Sequence, residues 1–255
     1  MNHNELKTLL EESYQKYNTL DFIETDPIQI PHGFSQKENI EISAFLAATI
    51  AWGKRNMIIR NAKKMITILD NNPYDFIINA TKKDFENIEP FVHRTFQHVD
   101  FVFFLKSMQN IYKNKGGLEE VFWNGYKENH SVKDGIANFR KEFFSIPHPS
   151  RTKKHIADVG RNSAAKRINL FLMWLIRRDN IGVHFGLWEK FSPADLMLPL
   201  DVHTANMSRA LELLTHTQND WKAVDELTNN LRKFDPKDPT KYDFAIFGMD
   251  INLKK

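Results

Sequence analysis

Apolar residues in this chain recur at helical spacing nearly from end to end, and they seldom alternate as a half-buried strand requires. The clearest case is Ile168, Phe171, Leu172, Leu175 and Ile176, which follow i, i+3, i+4, i+7, i+8 and build one apolar face. This periodicity predicts an all-α fold. With 255 residues, 42% of them hydrophobic, the chain has enough apolar mass for one large domain or two small lobes with a core. Its 20 phenylalanines imply a core filled by large rings.

The breaks between periodic segments set the expected helices. One is expected over 4–19, built on Leu6, Leu9, Leu10, Tyr14 and Tyr17, and a loop marked by Pro27, Pro31 and Gly33 follows. Ser35-Gln36-Lys37-Glu38 has the Ser-x-x-Glu form of a capping box and opens a helix that runs to Trp52. After Gly53, Lys54-Arg55-Asn56 leads into another helix, which Asn71-Asn72-Pro73 stops. Shorter helices are expected over 73–80, 82–87 and 98–112, then from Leu118 to Tyr126 after the Gly116-Gly117 turn, then over 132–144. Pro147 to Arg151 is the clearest break in the chain. Helices are expected beyond it over 163–178, 202–215, 220–233 and 240–248, with a loop and a short helix over 185–200.

Charge and cysteine usage narrow the function classes. A net charge of +3 and an isoelectric point near 8.9 permit a nucleic-acid partner without requiring one. The chain has no cysteine, which excludes disulfides, thiolate metal sites and a cysteine-ligated iron–sulfur cluster, and fits a reducing cytoplasm. The segment Met1 to Glu5 lacks the basic and apolar regions of a signal peptide. The longest apolar run, Leu170 to Ile176, is far short of the roughly 20 residues that span a bilayer. No His-x-x-x-His or Glu-x-x-His pair falls on an expected helix, so no metal and no cofactor are expected. A phosphate-binding glycine loop and a nucleophile elbow are both missing, which argues against nucleotide hydrolases and α/β-hydrolases.

One pair of residues reads as a reaction centre. Lys166 is expected about one turn into its helix, followed by the apolar face; Asp201, after Pro199-Leu200, stands at the start of the next. Most lysines in such a place only snorkel to solvent, and an aspartate there is usually a plain N-cap. The functional reading is an amine held among Arg161, Arg167 and apolar walls, where neighbouring cations and desolvation favour the neutral, nucleophilic form. A carboxylate fixed at the facing helix head would stabilise a cation developing opposite it.

The context of that pair resembles the helix-hairpin-helix DNA glycosylase superfamily. Gly160-Arg161-Asn162-Ser163-Ala164-Ala165-Lys166, an apolar helix, then Pro199-Leu200-Asp201-Val202-His203 and a helix with Arg209 match its arrangement. In that family a lysine near one helix head is the nucleophile and an aspartate opening the next is essential; Lys166 and Asp201 stand at those positions. Their separation of 35 residues, and the run Lys166 to Phe171, are closest to archaeal 8-oxoguanine glycosylases. Ile42 to Trp52 is similar to the early barrel helix and Tyr242 to Gly248 to the closing helix. The hairpin equivalent, Ile156-Ala157-Asp158-Val159-Gly160, has one glycine and no proline where the family has Leu-Pro-Gly-x-Gly. A second alignment puts Asn162 at the lysine position; only the first keeps a nucleophile. Over nearly all its length the chain also resembles a bacterial family described only as a domain of unknown function, which brings no activity with it.

The resemblance implies a two-lobed helical fold with a helix-hairpin-helix-like element: a barrel lobe over 36–180, and a second lobe from 1–35 plus 195–255, with a cleft between. It implies a monomer in the cytoplasm, associated with the nucleoid, that takes damaged duplex DNA as its partner. The implied activity is base excision through a lysine Schiff base, with strand nicking and with 8-oxoguanine as the best analogy for the target. The alternative is a nucleic-acid-binding module that keeps the scaffold without catalysis, which the degenerate hairpin favours. His203 is expected to orient Asp201 or touch a phosphate. Lys153, Lys154, Arg161, Arg167 and Arg177 are candidates for phosphate contacts, with Lys54, Arg55 and Arg60 as a second edge. Trp52, Phe171, Trp174 and Trp188 are candidate base-stacking side chains, although aromatics at this spacing are more often core.

Overall fold

The computed structural model describes residues 1–252, with side chains as far as Asp250, so the last three residues of the expected 195–255 segment lie outside the described residues. The fold is all-α. No strand occurs among the described residues, only isolated bridges at His93–Phe96, Ser163–Asp220 and Arg178–Phe185. In chain order the helices are α1 (His3–Tyr17), α2 (Asp21–Thr25), α3 (Lys37–Thr49), α4 (Arg55–Ile68), α5 (Pro73–Asn79), α6 (Lys82–Glu86) and α7 (His98–Asn114). They continue with α8 (Leu118–Tyr126), α9 (Val132–Phe143), α10 (Lys166–Ile176), α11 (Val202–Ala210), α12 (Trp221–Arg232) and α13 (Tyr242–Asn252). No described helix is long and apolar enough to cross a membrane.

Local chemistry explains where the elements start and stop, and where they depart from expectation. The Ser35 capping box does not form: α3 begins after Gln36, without a side-chain cap. Reciprocal boxes appear instead at Asn2–Glu5, opening α1, and at Thr81–Asp84, opening α6. The helix expected over 163–178 is shorter at both ends, because Ala165 adopts a left-handed conformation at its head and Arg177 turns extended at its tail. The helix expected over 202–215 ends at Ala210; Glu212, with a φ of 57°, turns the chain out of it.

The chain divides into two compact units: Met1–Glu24 with the chain from Asp158 on, and Thr25–Ala157. This partition departs from the expected lobes. The partition divides the hairpin equivalent, leaving Ile156 and Ala157 with the Thr25–Ala157 unit, while α10, expected in a 36–180 barrel, belongs with the terminal helices and carries at its C-terminus a charge cluster anchored on α1 and on the turn before α13.

The unit Thr25–Ala157 is built on stacked rings. Phe45 packs against Phe104, Phe139 and Phe143, and Phe122 stacks on Phe139 at 4.4 Å. All five are at most 1% exposed. Helices α8 and α9 approach so closely that a Cβ on Gly125 would lie 2.5 Å from the Asp134 carbonyl, so only glycine fits there. In the other unit α13 lies against α1 with Gly248 under the Tyr17 ring, at a distance no Cβ could tolerate. The core of this unit is mixed, holding Trp174, Trp188 and Tyr242 together with a fully buried arginine, Arg177.

Candidate active site

Lys166 is the first residue of α10, not a turn inside it. The loop before it is a single 3-10 turn, Val159–Arg161, closed by Asn162 in the left-handed region with a φ of 63°. Ala165 is left-handed too, with a φ of 50°, and for a residue with a Cβ this conformation costs about 1–2 kcal/mol. Such a residue persists only where its neighbours over-determine it. The neighbours here are Asn169, whose Nδ2 donates to the Ala164 carbonyl at 3.2 Å, and Asp220, whose Oδ2 accepts from Asn162 Nδ2 at 2.6 Å. Trp221 N donates to the Asn162 carbonyl at 3.0 Å, so the loop is stitched to the head of α12 by backbone as well as side chain.

Asp201 is the N-cap of α11. Its Oδ1 accepts from Thr204 N at 2.9 Å, which leaves Oδ2 facing away from the cap. That second oxygen lies 3.7 Å from Lys166 Nζ, with both side chains 30% exposed. The structure therefore brings together the amine and carboxylate that the sequence singles out, and it does so within one compact unit. The spacing is longer than a hydrogen bond, and the exposure leaves the pair open to solvent.

The remaining candidates separate into surface, core and scaffold. His203 does not reach Asp201 through its Nδ1: that atom lies 3.0 Å from Asp250 Oδ2 on α13, and the imidazole stays 55% exposed. Arg161 is exposed, and burial pushes the Arg167 guanidinium down to about 10. Lys153 and Lys154 are exposed on a 3-10 segment of the Thr25–Ala157 unit. Buried residues of that segment hold it: Thr152 Oγ1 donates to Asp100 Oδ1 at 2.7 Å, and His155 Nε2 lies 3.2 Å from Oδ2 of the same carboxylate. Trp52 is half-buried, edge-on to His93 at 5.0 Å.

Three of the expected stacking rings are core. Trp174 is 1% exposed, and Phe171 and Trp188 are fully buried against one another at 5.4 Å. Packing accounts for all three, Phe171 and Trp174 from α10 and Trp188 from the loop after it, and none of them can receive a base. Arg177 is no phosphate ligand either. It is 1% exposed; its Nε donates to both Asp238 carboxylate oxygens, at 2.9 and 3.1 Å, and its Nη1 to Asp179 Oδ2 at 3.1 Å. It also donates to the Tyr14 hydroxyl at 2.7 Å, and its Nη1 lies 3.0 Å from His184 Nδ1. Arg209 holds the loop after its helix by donating to the His216 and Thr217 carbonyls.

The hairpin equivalent lacks the expected form. The segment ahead of it, Ser150–His155, is 3-10 rather than α-helical, and a second 3-10 turn at Val159–Arg161 replaces the tight glycine hairpin. Asn162, Ala165 and Asp220 shape the site and were not read as doing so. The only sequence signal was Asp220 itself, an N-cap residue before an amphipathic helix, which says nothing of a partner 58 positions away. Among the described residues no cluster of three or more His, Asp or Glu side chains is placed to hold a metal ion.

No curated protein and no solved structure matches the chain. Residues 26–252 match the family model described as "Protein of unknown function (DUF2400)", and the chain belongs to that family.

Proposed function

We propose that this protein is a DNA N-glycosylase with lyase activity, in which Lys166 is the nucleophile and Asp201 its charged partner. The observation that carries the reading is the approach of Lys166 Nζ to Asp201 Oδ2, 3.7 Å across two helix heads 35 residues apart in sequence. The resemblance of both segments to the helix-hairpin-helix glycosylases supports it, and an oxidised purine such as 8-oxoguanine is the substrate that resemblance favours.

The chemistry follows from what such a pair can do. A base inside a duplex is unreachable, so the nucleotide is flipped out at a cost of about a few kcal/mol. Lys166 must lose a proton before it attacks; at 30% exposure it passes that proton to water, which leaves Asp201 ionised as a carboxylate. As the N-glycosidic bond breaks, the base leaves with the bonding electrons and gains a proton, while positive charge grows on the sugar beside the Asp201 carboxylate. The new bond from Nζ to C1′ and opening of the sugar ring give a Schiff base. Loss of a C2′ proton then expels the 3′ phosphate, and water releases the lysine. Arg161, exposed in the same unit as Lys166, is the side chain offered to a phosphate there; Lys153 and Lys154 are exposed on the Thr25–Ala157 unit.

The test is binding and borohydride trapping on duplexes carrying abasic, 8-oxoguanine, uracil or oxidised-pyrimidine sites. The reading predicts trapping on at least one of them, and the lesion trapped best names the substrate. A second reading, a binding module without catalysis, is favoured by one observation: the hairpin keeps only Gly160 and follows a 3-10 segment. Duplex binding without trapping on any lesion selects it, and absence of binding at low salt overturns both.

A further inference from the structure

Two aspartates cap consecutive helices around Lys166, and each has one carboxylate oxygen left over. Asp201 caps α11 with Oδ1 and faces Lys166 with Oδ2. Asp220 caps α12 with Oδ1, which accepts from Lys222 N at 2.9 Å and Ala223 N at 3.2 Å, while His216 Nε2 lies 3.1 Å away. Its Oδ2 accepts from Asn162 Nδ2 at 2.6 Å. The Ser163–Asp220 bridge and the bond from Trp221 N to the Asn162 carbonyl flank that contact. Asn162 and Ala165, the two left-handed residues of the loop, bracket the two-residue stretch Ser163-Ala164 that delivers the chain into α10.

We propose that Asp220 is a positioning residue for Lys166, acting through Asn162. Lys166 is the first residue of its helix, so the direction of its Cα–Cβ bond follows directly from the backbone of Ala165. Within α10 only the Ala165 carbonyl is held, accepting from Ile168 N at 3.0 Å and Asn169 N at 2.9 Å, while the Lys166 amide makes no intrahelical bond, so the loop before it must set the entry. The left-handed entry is not a conformation that Ala165 holds by itself. The Asp220 clasp fixes the loop at Asn162, Asn169 holds it at Ala164, and the entry between them is thereby over-determined. With the clasp gone, the loop relaxes toward ordinary backbone and Nζ swings away from Asp201. The clasp bears on catalysis only through the reading of Lys166 as a nucleophile, but on the placement of Lys166 without it.

The test uses the full chain and three variants. Asp220→Ser keeps an N-cap for α12 but is too short to reach Asn162. Asn162→Gly keeps the left-handed backbone and loses the side chain. The swapped pair Asn162→Asp with Asp220→Asn restores the hydrogen bond with donor and acceptor reversed. Lys166 is read by its rate of acylation relative to Lys153 and Lys154, followed by mass spectrometry. Asp220→Ser raises that ratio severalfold, addition of Asn162→Gly to it adds nothing further, and the swapped pair returns it to the wild-type value. In parallel, trapping on abasic duplex falls about 10- to 100-fold in Asp220→Ser, at unchanged duplex affinity, as expected for a nucleophile displaced by about 1 Å. An unchanged acylation ratio in Asp220→Ser, or no rescue by the swapped pair, overturns the proposal. If the wild type never traps, the glycosylase reading falls, and the acylation ratio still decides the clasp.

Discussion

The two ends of α10 carry cations held in opposite ways. Arg177, at its tail, is 1% exposed, and its guanidinium is bonded to Asp238, Asp179 and the Tyr14 hydroxyl. Lys166, at its head, is 30% exposed and has a carboxylate at 3.7 Å, beyond hydrogen-bond length. A charge bonded all round in the interior is fixed for good, and its removal leaves buried anions without a partner. A charge at a solvent-open helix head stays within reach of a substrate, which the proposed nucleophile requires. The comparison therefore separates a buried cation from an accessible one on one helix, where residue type alone does not.

The largest expected effect comes from the tail. Arg177→Met should destabilise the protein by about 3–5 kcal/mol, because Asp179 and Asp238 stay behind uncompensated. In a chain of this size that lowers Tm by roughly 10 °C. Thermal unfolding followed by circular dichroism checks it, and a Tm within a degree or two of wild type would break the comparison. At the head, Lys166→Met should shift stability by no more than about 1 kcal/mol, the range of a partly exposed ion pair. A urea titration measures this directly; a loss as large as that of Arg177→Met would make Lys166 scaffold too.

A smaller effect distinguishes the surroundings of the head by pH. Burial alone would push the Asp220, Glu226 and Asp235 carboxyls up, yet the hydrogen bonds donated to them outweigh it. Ala223 N, His216 and Lys222 N hold Asp220 below its usual 3.8. Thr215 and His216 N hold Glu226 below 4.5, and Lys241 with Lys237 N and Asp238 N holds Asp235 below 3.8. Carboxyls depressed in the folded state bind protons more readily when unfolded. Their stabilisation is complete above about pH 4.5 and drains away as pH falls through the ordinary values toward the folded ones. Urea midpoints should fall with pH in that window, less steeply in Asp220→Asn and Glu226→Gln.

The smallest effect lies in the Thr25–Ala157 unit. Burial pushes His93 below its usual 6.5, the Trp52 carbonyl opposes this and Arg94 adds to it. Asn61 Nδ2 faces His93 Nδ1 at 2.8 Å while Nε2 meets the Trp52 carbonyl at 3.1 Å, which assigns the neutral ring with its proton on Nε2. Since the unfolded chain takes the proton first, the His93 contribution is present above pH 6.5 and is lost as pH falls below it. Its imidazole should titrate with a midpoint below 6.5 by NMR, and a midpoint above that value contradicts the geometry.

Much of the architecture was legible because apolar periodicity and helix stops are local. The rings of Phe45, Phe104 and Phe139 meet as a helical core requires, and α7, α8, α9 and α12 fall close to their expected spans. Lys166 and Asp201 were legible as helix heads and through a family resemblance. What stayed hidden depends on distant partners. Arg177 reads as a surface cation until Asp238, 61 residues on, is seen beside it, and Trp174 reads as a stacking ring until its burial is known. The Ser35 box failed because a capping motif states a preference, and the packing of α3 set its start elsewhere.

The central proposal is that the solvent-open cation, not the buried one, does chemistry. Its most direct test is to reduce the protein with borohydride on a lesion duplex, digest the adduct and locate the modified residue by mass spectrometry. The account predicts a deoxyribose remnant on Lys166, lost in Lys166→Ala and retained in a variant lacking Lys153 and Lys154. An adduct on any other amine, or one that survives Lys166→Ala, would contradict it.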